Sequence, residues 1–169
     1  HDVDLTVHTG ELVSVIGPNG AGKTTTIRIM MDIIKPDSGE VTILGKKLSE
    51  AAKNKLGYLP VEVNGQPYAF KLVKKERNFV LEPELLIMDE PFEGLDPKSR
   101  DELIALLNIL HETKHISFIL TPHDVDIVPQ LADSVYMLVQ GGEIVEHGTP
   151  RRLFSRADVL ARSNIEPPV

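Results

Sequence analysis

Cysteine is absent from all 169 residues, which excludes a disulfide framework and any thiolate-held metal. The absence suits a reducing compartment. Histidine does not compensate: the six are spread along the chain, and a metal cluster is not expected. Long apolar runs are missing as well. Asp32 breaks the apolar region 30–34 and Lys35 ends it, and nothing approaches the roughly eighteen residues a membrane-crossing helix requires. Any membrane association is therefore expected through a partner. No signal-peptide pattern opens the sequence, and its start in the middle of an alternating stretch reads as an interior starting point. Positive charge is in deficit, with a net −7, so the chain offers no general attraction to nucleic acid or anionic lipid. Its densest basic cluster, Lys74, Lys75 and Arg77, reads as the solvated face of a helix. Repeats and low-complexity tracts are lacking too.

What is present is ordinary globular material, 41% hydrophobic and 25% charged, long enough for one α/β domain and short for two. Val3, Leu5 and Val7 alternate with polar residues, the period of a half-buried strand. Residues 12–16 read as a buried strand and 23–34 as a helix with Ile27, Met30, Met31 and Ile34 on one face. Turn formers at 35–39 stop that helix. A strand at 41–44, a turn at Gly45 and a short helix at 49–55 follow. The interval 61–76 has no sustained period. Order returns with an uninterrupted apolar run at 85–88, as expected for a strand covered on both faces. Asp96 and Pro97 form a helix start, N-cap then first-turn proline, ahead of Leu103, Leu106, Leu107 and Leu110 at helical spacing. A strand at 116–120, a helix at 124–131 and a hairpin across Gln140, Gly141 and Gly142 complete the pattern. The polar end, 150–165, reads as helical pieces appended to the core. Strands alternating with helices imply a mostly parallel sheet wrapped on both faces, with ligands at the carboxyl ends of its strands.

The richest chemistry lies in 11–25, ELVSVIGPNGAGKTT. Gly17, Gly22, Lys23 and Thr24 fit the G-x-x-x-x-G-K-[ST] phosphate-loop pattern, set between a strand and a helix as that pattern requires. Across Gly17, Pro18, Asn19, Gly20, Ala21 and Gly22, backbone N–H groups can turn inward around phosphate oxygens, with a helix N-terminus beneath them. Lys23 is expected on the β and γ phosphates, Thr24 on Mg²⁺, and Thr25 on a further phosphate oxygen. Asp89 and Glu90 end the 85–88 strand, where two adjacent acids would be costly without partners. A metal ion answers one of them. Asp89 then orients the metal through water, and Glu90, one residue further out, polarises a water for attack on the γ phosphate. His123 follows the next strand at the same edge. Position alone leaves open whether it is structural or a γ-phosphate ligand, and Asp124 beside it reads equally as a helix cap.

GPNGAGKTT, the LLIMDEP run followed by GLDP, and a histidine after the next strand together resemble the nucleotide-binding domain of ABC-type ATPases. The resemblance implies a P-loop NTPase fold of the ABC type over residues 1–148, with 149–169 as a C-terminal helical appendage. It implies that 17–25 is the Walker A motif, 85–89 the Walker B motif, Glu90 the catalytic glutamate, 94–96 the D-loop and His123 the switch histidine. ATP and Mg²⁺ are the implied ligands. The implied partners are a second ABC ATPase subunit, identical or different, and a transmembrane transporter subunit at the cytoplasmic face of the membrane. HDVD at 123–126, GEIVEHGTPRRLF and QPYA at 66–69 are similar to the ATPases of energy-coupling-factor importers, particularly the cobalt and nickel group.

The sequence departs from that pattern in three places. Val61 stands where the family has its Q-loop glutamine, with Glu62 beside it as a conjectural substitute. No LSGGQ signature is found, Asn64-Gly65-Gln66 being a poor imitation. The interval 61–84 is too short for the family's helical subdomain, which implies a gap or deletion there, and the family's first strands with their adenine-stacking aromatic have no counterpart. Three functions are therefore expected, in order: an importer ATPase, a nucleotide-binding regulatory module without hydrolysis, and a soluble mechanoenzyme of translation or DNA repair. A GTPase ranks below these, since no base-reading aspartate follows Asn54-Lys55.

Overall fold

A computed structural model describes residues 3–43, 45–59, 62–63, 66–67 and 83–169. Its frame is a six-stranded sheet in the order β10-β9-β1-β8-β7-β4. The strands are β1 (Leu12–Ile16), β4 (Leu56–Leu59), β7 (Leu85–Asp89), β8 (Ser117–Thr121), β9 (Ser134–Val139) and β10 (Glu143–Gly148). All pairings are parallel except that of β9 with β10, the hairpin expected across 140–142. Two short hairpins stand apart, β2 (Thr42–Ile43) with β3 (Lys46–Lys47), and β5 (Glu62–Val63) with β6 (Gln66–Pro67).

The apolar runs of the central strands are continuous because both faces are covered, and successive residues go to opposite layers. Leu12, Leu86, Met88, Phe118 and Leu120 pack beneath Leu103 and Leu107 of α3 (Pro97–Lys114). Their neighbours Val13, Val15, Ile87 and Ile119 form the other layer with Ile27 of α1 (Lys23–Met30). The expected start of α3 is observed, Asp96 accepting from the Ser99 N–H at 3.4 Å with Pro97 in the first turn. On the other face, α1 stops at Met30, short of the expected 34, where Asp32 turns left-handed (φ 59°). Ile34 consequently lies exposed.

Other expectations are corrected, and one strand appears where none was expected. The alternating stretch at 3–7 forms no strand. Leu5 and Val7 still pack on the second layer, but the segment is tied to the sheet through Tyr136, whose hydroxyl accepts from Thr6 N–H (3.1 Å) and donates to Thr6 O (2.9 Å). Of the strand expected at 41–44, Thr42 and Ile43 form β2 against the equally short β3, residue 44 lying outside the described residues, and the helix expected at 49–55 is the single turn α2 (Glu50–Lys53). The unexpected edge strand β4 pairs along β7, its pattern hidden in the sequence by Gly57 within it and Pro60 after it. Lastly, the end of the chain is packed rather than appended. In α5 (Pro150–Phe154) and α6 (Ala157–Ser163), Leu153, Val159 and Leu160 are buried against Ile16, Val135, Met137 and Val128, the last from α4 (Val128–Leu131). Sparse apolar positions suffice there because each helix buries only one narrow stripe. Of the interval 61–84, only β5, β6 and residues 83–84 are described, so the expected gap or deletion lies mostly outside the described residues.

Leu153 is fully buried. Leu153→Ala is expected to cost about 2–5 kcal/mol of folding stability, as cavity-forming substitutions do. Ile109→Ala, at a side chain 57% exposed, should change it by less than about 0.5 kcal/mol in the same urea titrations.

Candidate functional site

Strands β1, β8 and β7 lie side by side and point the same way, so whatever follows each emerges at one edge. Behind β1 comes the glycine-rich loop. Gly17 has no room for a side chain, since a Cβ there would stand 2.6 Å from the Leu138 carbonyl oxygen of β9. Gly22 caps α1 in the left-handed region (φ 93°), a conformation that lets the chain turn from loop into helix. Lys23 opens α1, and its ammonium folds back into the loop, donating to the carbonyls of Gly17 (2.6 Å) and Pro18 (3.2 Å). Only 8% of Lys23 is exposed. Burial pulls its pKa below the ordinary lysine value, and the negative charges of Glu90 and Asp89 oppose that shift. Lys23 is thus within electrostatic reach of both acids.

Asp89 ends β7 almost wholly buried. One carboxylate oxygen accepts from the Thr121 hydroxyl at 2.5 Å. Among the described residues, no hydrogen bond reaches the other oxygen. Glu90 is half-buried and sits in the left-handed region (φ 47°), an unfavourable backbone for a residue with a side chain. Its N–H is held by both the carbonyl (3.1 Å) and the hydroxyl (3.2 Å) of Thr121. Tyr58 on β4 lies within electrostatic reach of Asp89. Its hydroxyl is pushed above the usual tyrosine pKa by burial and by the charge of Asp89, while Arg28 acts the other way.

His123 lies two residues beyond β8, exposed at the same edge. Asp124 is a cap, its carboxylate accepting from Asp126 N–H (2.9 Å) at the start of a single 3-10 turn, Val125–Ile127. It also pairs with Arg100 of α3, which fastens the His123 loop to that helix. Burial raises the Asp124 pKa, but the Arg100 and Asp126 hydrogen bonds outweigh it and leave the group below the usual range. Thr24 is half-buried and Thr25 exposed, both in the first turn of α1. Thr121 and Tyr58 were not singled out from the sequence. The available signal for Thr121 was its place as the first hydroxyl after the apolar run 118–120, at the edge where the acids emerge.

Comparison with known proteins agrees on one family. The family described as "ABC transporter" matches residues 1–75. A putative ABC transporter ATP-binding protein of Clostridium acetobutylicum is 29% identical over 222 aligned residues, covering 99% of this chain and 79% of the relative. An energy-coupling factor transporter ATP-binding protein, EcfA, of Methanocaldococcus jannaschii is 28% identical over 98% of this chain and 78% of its own length. Both alignments exceed the 169 residues of this chain, so the relatives carry residues with no counterpart here. Among solved structures, CbiO1 of Clostridium perfringens, described as part of the transporter complex CbiONQ, superposes with a TM-score of 0.76. That match has 24% identity and covers 96% of this chain and 86% of the other. A dimeric ATP-binding cassette bound to ADP and phosphate superposes at 0.71, with 21% identity over 88% of this chain and 89% of the other. At these identities the structural likeness establishes the fold.

The contact at Gly17 is with backbone, which cannot swing aside. Gly17→Ala is therefore expected to destabilise the fold by about 1–3 kcal/mol, the range for an overpacked site, and to weaken nucleotide binding with it. Thermal melting with and without ATP measures both effects.

Proposed function

We propose that this chain is an ABC transporter ATP-binding domain, as its family match and relatives support, and that it binds and hydrolyses ATP to drive a membrane importer. The observation that carries the reading is the buried Lys23 ammonium, set in a glycine loop and facing two strand-end acids. A polyphosphate would enter this loop against the N-terminus of α1, where unpaired N–H groups and the helix dipole favour anions. Lys23 would neutralise the β and γ phosphates, with Gly17 to Gly22 supplying backbone donors.

The donor set also suits a hard divalent cation, because Asp89 is buried and, among the described residues, one of its oxygens receives no hydrogen bond. Thr24 directly, and Asp89 through water, would hold Mg²⁺, which when bound offsets the negative charge of the phosphates. Glu90 would accept the proton of the attacking water as the water oxygen bonds to the γ phosphorus and the bond to the β–γ bridging oxygen breaks, releasing ADP and phosphate. His123 would hydrogen-bond the γ phosphate from the β8 side.

The wider setting rests on the relatives. Proteins similar to this one are named as ATP-binding subunits of energy-coupling factor transporters, and a neighbouring fold belongs to a multi-subunit transporter complex. Among the described residues no helix is long and apolar enough to cross a membrane. The reading therefore places the chain peripherally, at the cytoplasmic face, paired with a second cassette and seated on a membrane subunit. A transition-metal ion as cargo is supported by the HDVD run and the GEIVEHGTPRRLF tail. We place the relatives' extra residues in the interval 61–84, where the family resemblance puts a helical subdomain. One observation favours a second reading, a regulatory module that binds ATP without cleaving it: the sequence has Val61 at the Q-loop position and no LSGGQ.

Titration with a fluorescent ATP analogue should show at least about tenfold weaker binding for Lys23→Ala, a loss of about 1.4 kcal/mol or more. Equal affinity would remove the phosphate-loop reading. Glu90→Gln should preserve binding while lowering single-turnover hydrolysis by about 10²-fold or more, since an amide cannot take the proton. Binding without measurable hydrolysis in the unsubstituted chain would select the regulatory module. Purification from detergent-solubilised membranes should recover a transmembrane subunit with the protein, and recovery only on ribosomes or DNA would select the mechanoenzyme.

A further inference from the structure

Between the two acids stands a residue that the reaction as described does not use. Thr121 is the last residue of β8, wholly buried, and in the parallel register it lies opposite Asp89. Its hydroxyl has one proton, and the geometry directs that proton to Asp89 Oδ1 at 2.5 Å. The Thr121 hydroxyl oxygen itself accepts from the Glu90 N–H at 3.2 Å. The three groups form a short chain in one direction, from the Glu90 amide to the Thr121 hydroxyl to the Asp89 carboxylate. In such a chain each bond polarises the next, so the amide strengthens the hydroxyl as a donor.

We infer that Thr121 is a positioning residue that couples the backbone of Glu90 to the metal-facing carboxylate of Asp89. The inference rests on the proposed ATP and Mg²⁺ site and adds a residue to it. Two physical arguments support it. A carboxylate on a strand end can rotate about its side-chain bonds, and a hydrogen bond to one oxygen selects the orientation that leaves the other available. In addition, the left-handed backbone of Glu90 (φ 47°) is a conformation that costs energy and persists only where the surroundings hold it. Thr121 holds it twice, through its carbonyl and its hydroxyl. The carbonyl contact belongs to the backbone and survives any substitution. The hydroxyl contact does not, and it links the position of the base to the orientation of the metal ligand. A rotation of the Glu90 peptide would weaken the hydrogen bond on Asp89, so the two acids take up their working positions together.

Thr121→Val removes the hydroxyl at constant shape, and Thr121→Ser removes only a methyl. Binding of a fluorescent ATP analogue is measured for the wild-type chain and both variants, first in EDTA and then during titration with Mg²⁺, with a thermal melt of each apo protein alongside. In EDTA all three should bind within about twofold of one another, since Lys23 and the loop are untouched. In Mg²⁺, Thr121→Val should need at least about fivefold more metal to reach half of its effect, and Thr121→Ser should return to the wild-type value. Should Thr121→Val fail to fold, Thr121→Ala is measured in its place against the same serine variant. A metal midpoint in Thr121→Val equal to wild type overturns the inference and leaves the ATP site standing. So does a serine variant as impaired as valine. A wild-type chain whose ATP binding ignores Mg²⁺ overturns the inference together with the Mg²⁺ reading beneath it.

Discussion

An ammonium group withdrawn from water must be compensated on the spot, and in this protein that requirement falls on Lys23. Two loop carbonyls accept hydrogen bonds from it at 2.6 and 3.2 Å, and the carboxylates of Asp89 and Glu90 supply the opposing charge. None of these groups is near Lys23 in the chain except the carbonyls. The acids arrive by way of β7, two strands away from β1 across β8, and only a parallel register that brings the strand ends to one edge can deliver them. The charge balance of the site is thus a property of the sheet.

The same dependence runs outward through the packing. Alternate residues of β1, β7 and β8 go to opposite layers, so α3 on one face and α1 on the other clamp the strands in register. The loop at the end of β1 is pinned from its other side by β9, whose Leu138 carbonyl fills the space where a side chain on Gly17 would stand. Helices α5 and α6 support β9 in turn, through Leu153, Val159 and Leu160. In this way Leu153, Val159 and Leu160 back the strand against which Gly17 is packed, although none of them touches a ligand in the proposed reaction.

At the acid edge, rigidity and strain are combined. Glu90 is held in a left-handed conformation immediately after a fully paired strand, and Asp124 ties the loop bearing His123 to α3 through Arg100. Strain concentrated at one residue beside an otherwise regular sheet is the usual arrangement of a functional edge, where surrounding structure over-determines an unfavourable backbone. The exposure of His123 contrasts with the burial of Asp89 and Lys23. In the proposed reaction that is the difference between a group that would meet the outer phosphate and groups that would lie beneath it.

Local features carried most of what the sequence determined by itself. The phosphate loop, the strand-end acids and the Asp96–Pro97 helix start are each specified within a few consecutive residues, because backbone conformation and side-chain chemistry there are set by near neighbours. The continuous apolar runs announced a parallel sheet for the same reason. Contacts between distant segments were decided only by the tertiary structure. Tyr136 reaches Thr6 across 130 positions, and Thr121 meets Asp89 across 32. The stretch at 3–7 has the period of a strand yet forms none, whereas 56–59, interrupted by Gly57, becomes an edge strand because β7 offers it a partner. A strand is completed by its neighbour's hydrogen bonds, and no residue pattern within one segment encodes whether that neighbour is there.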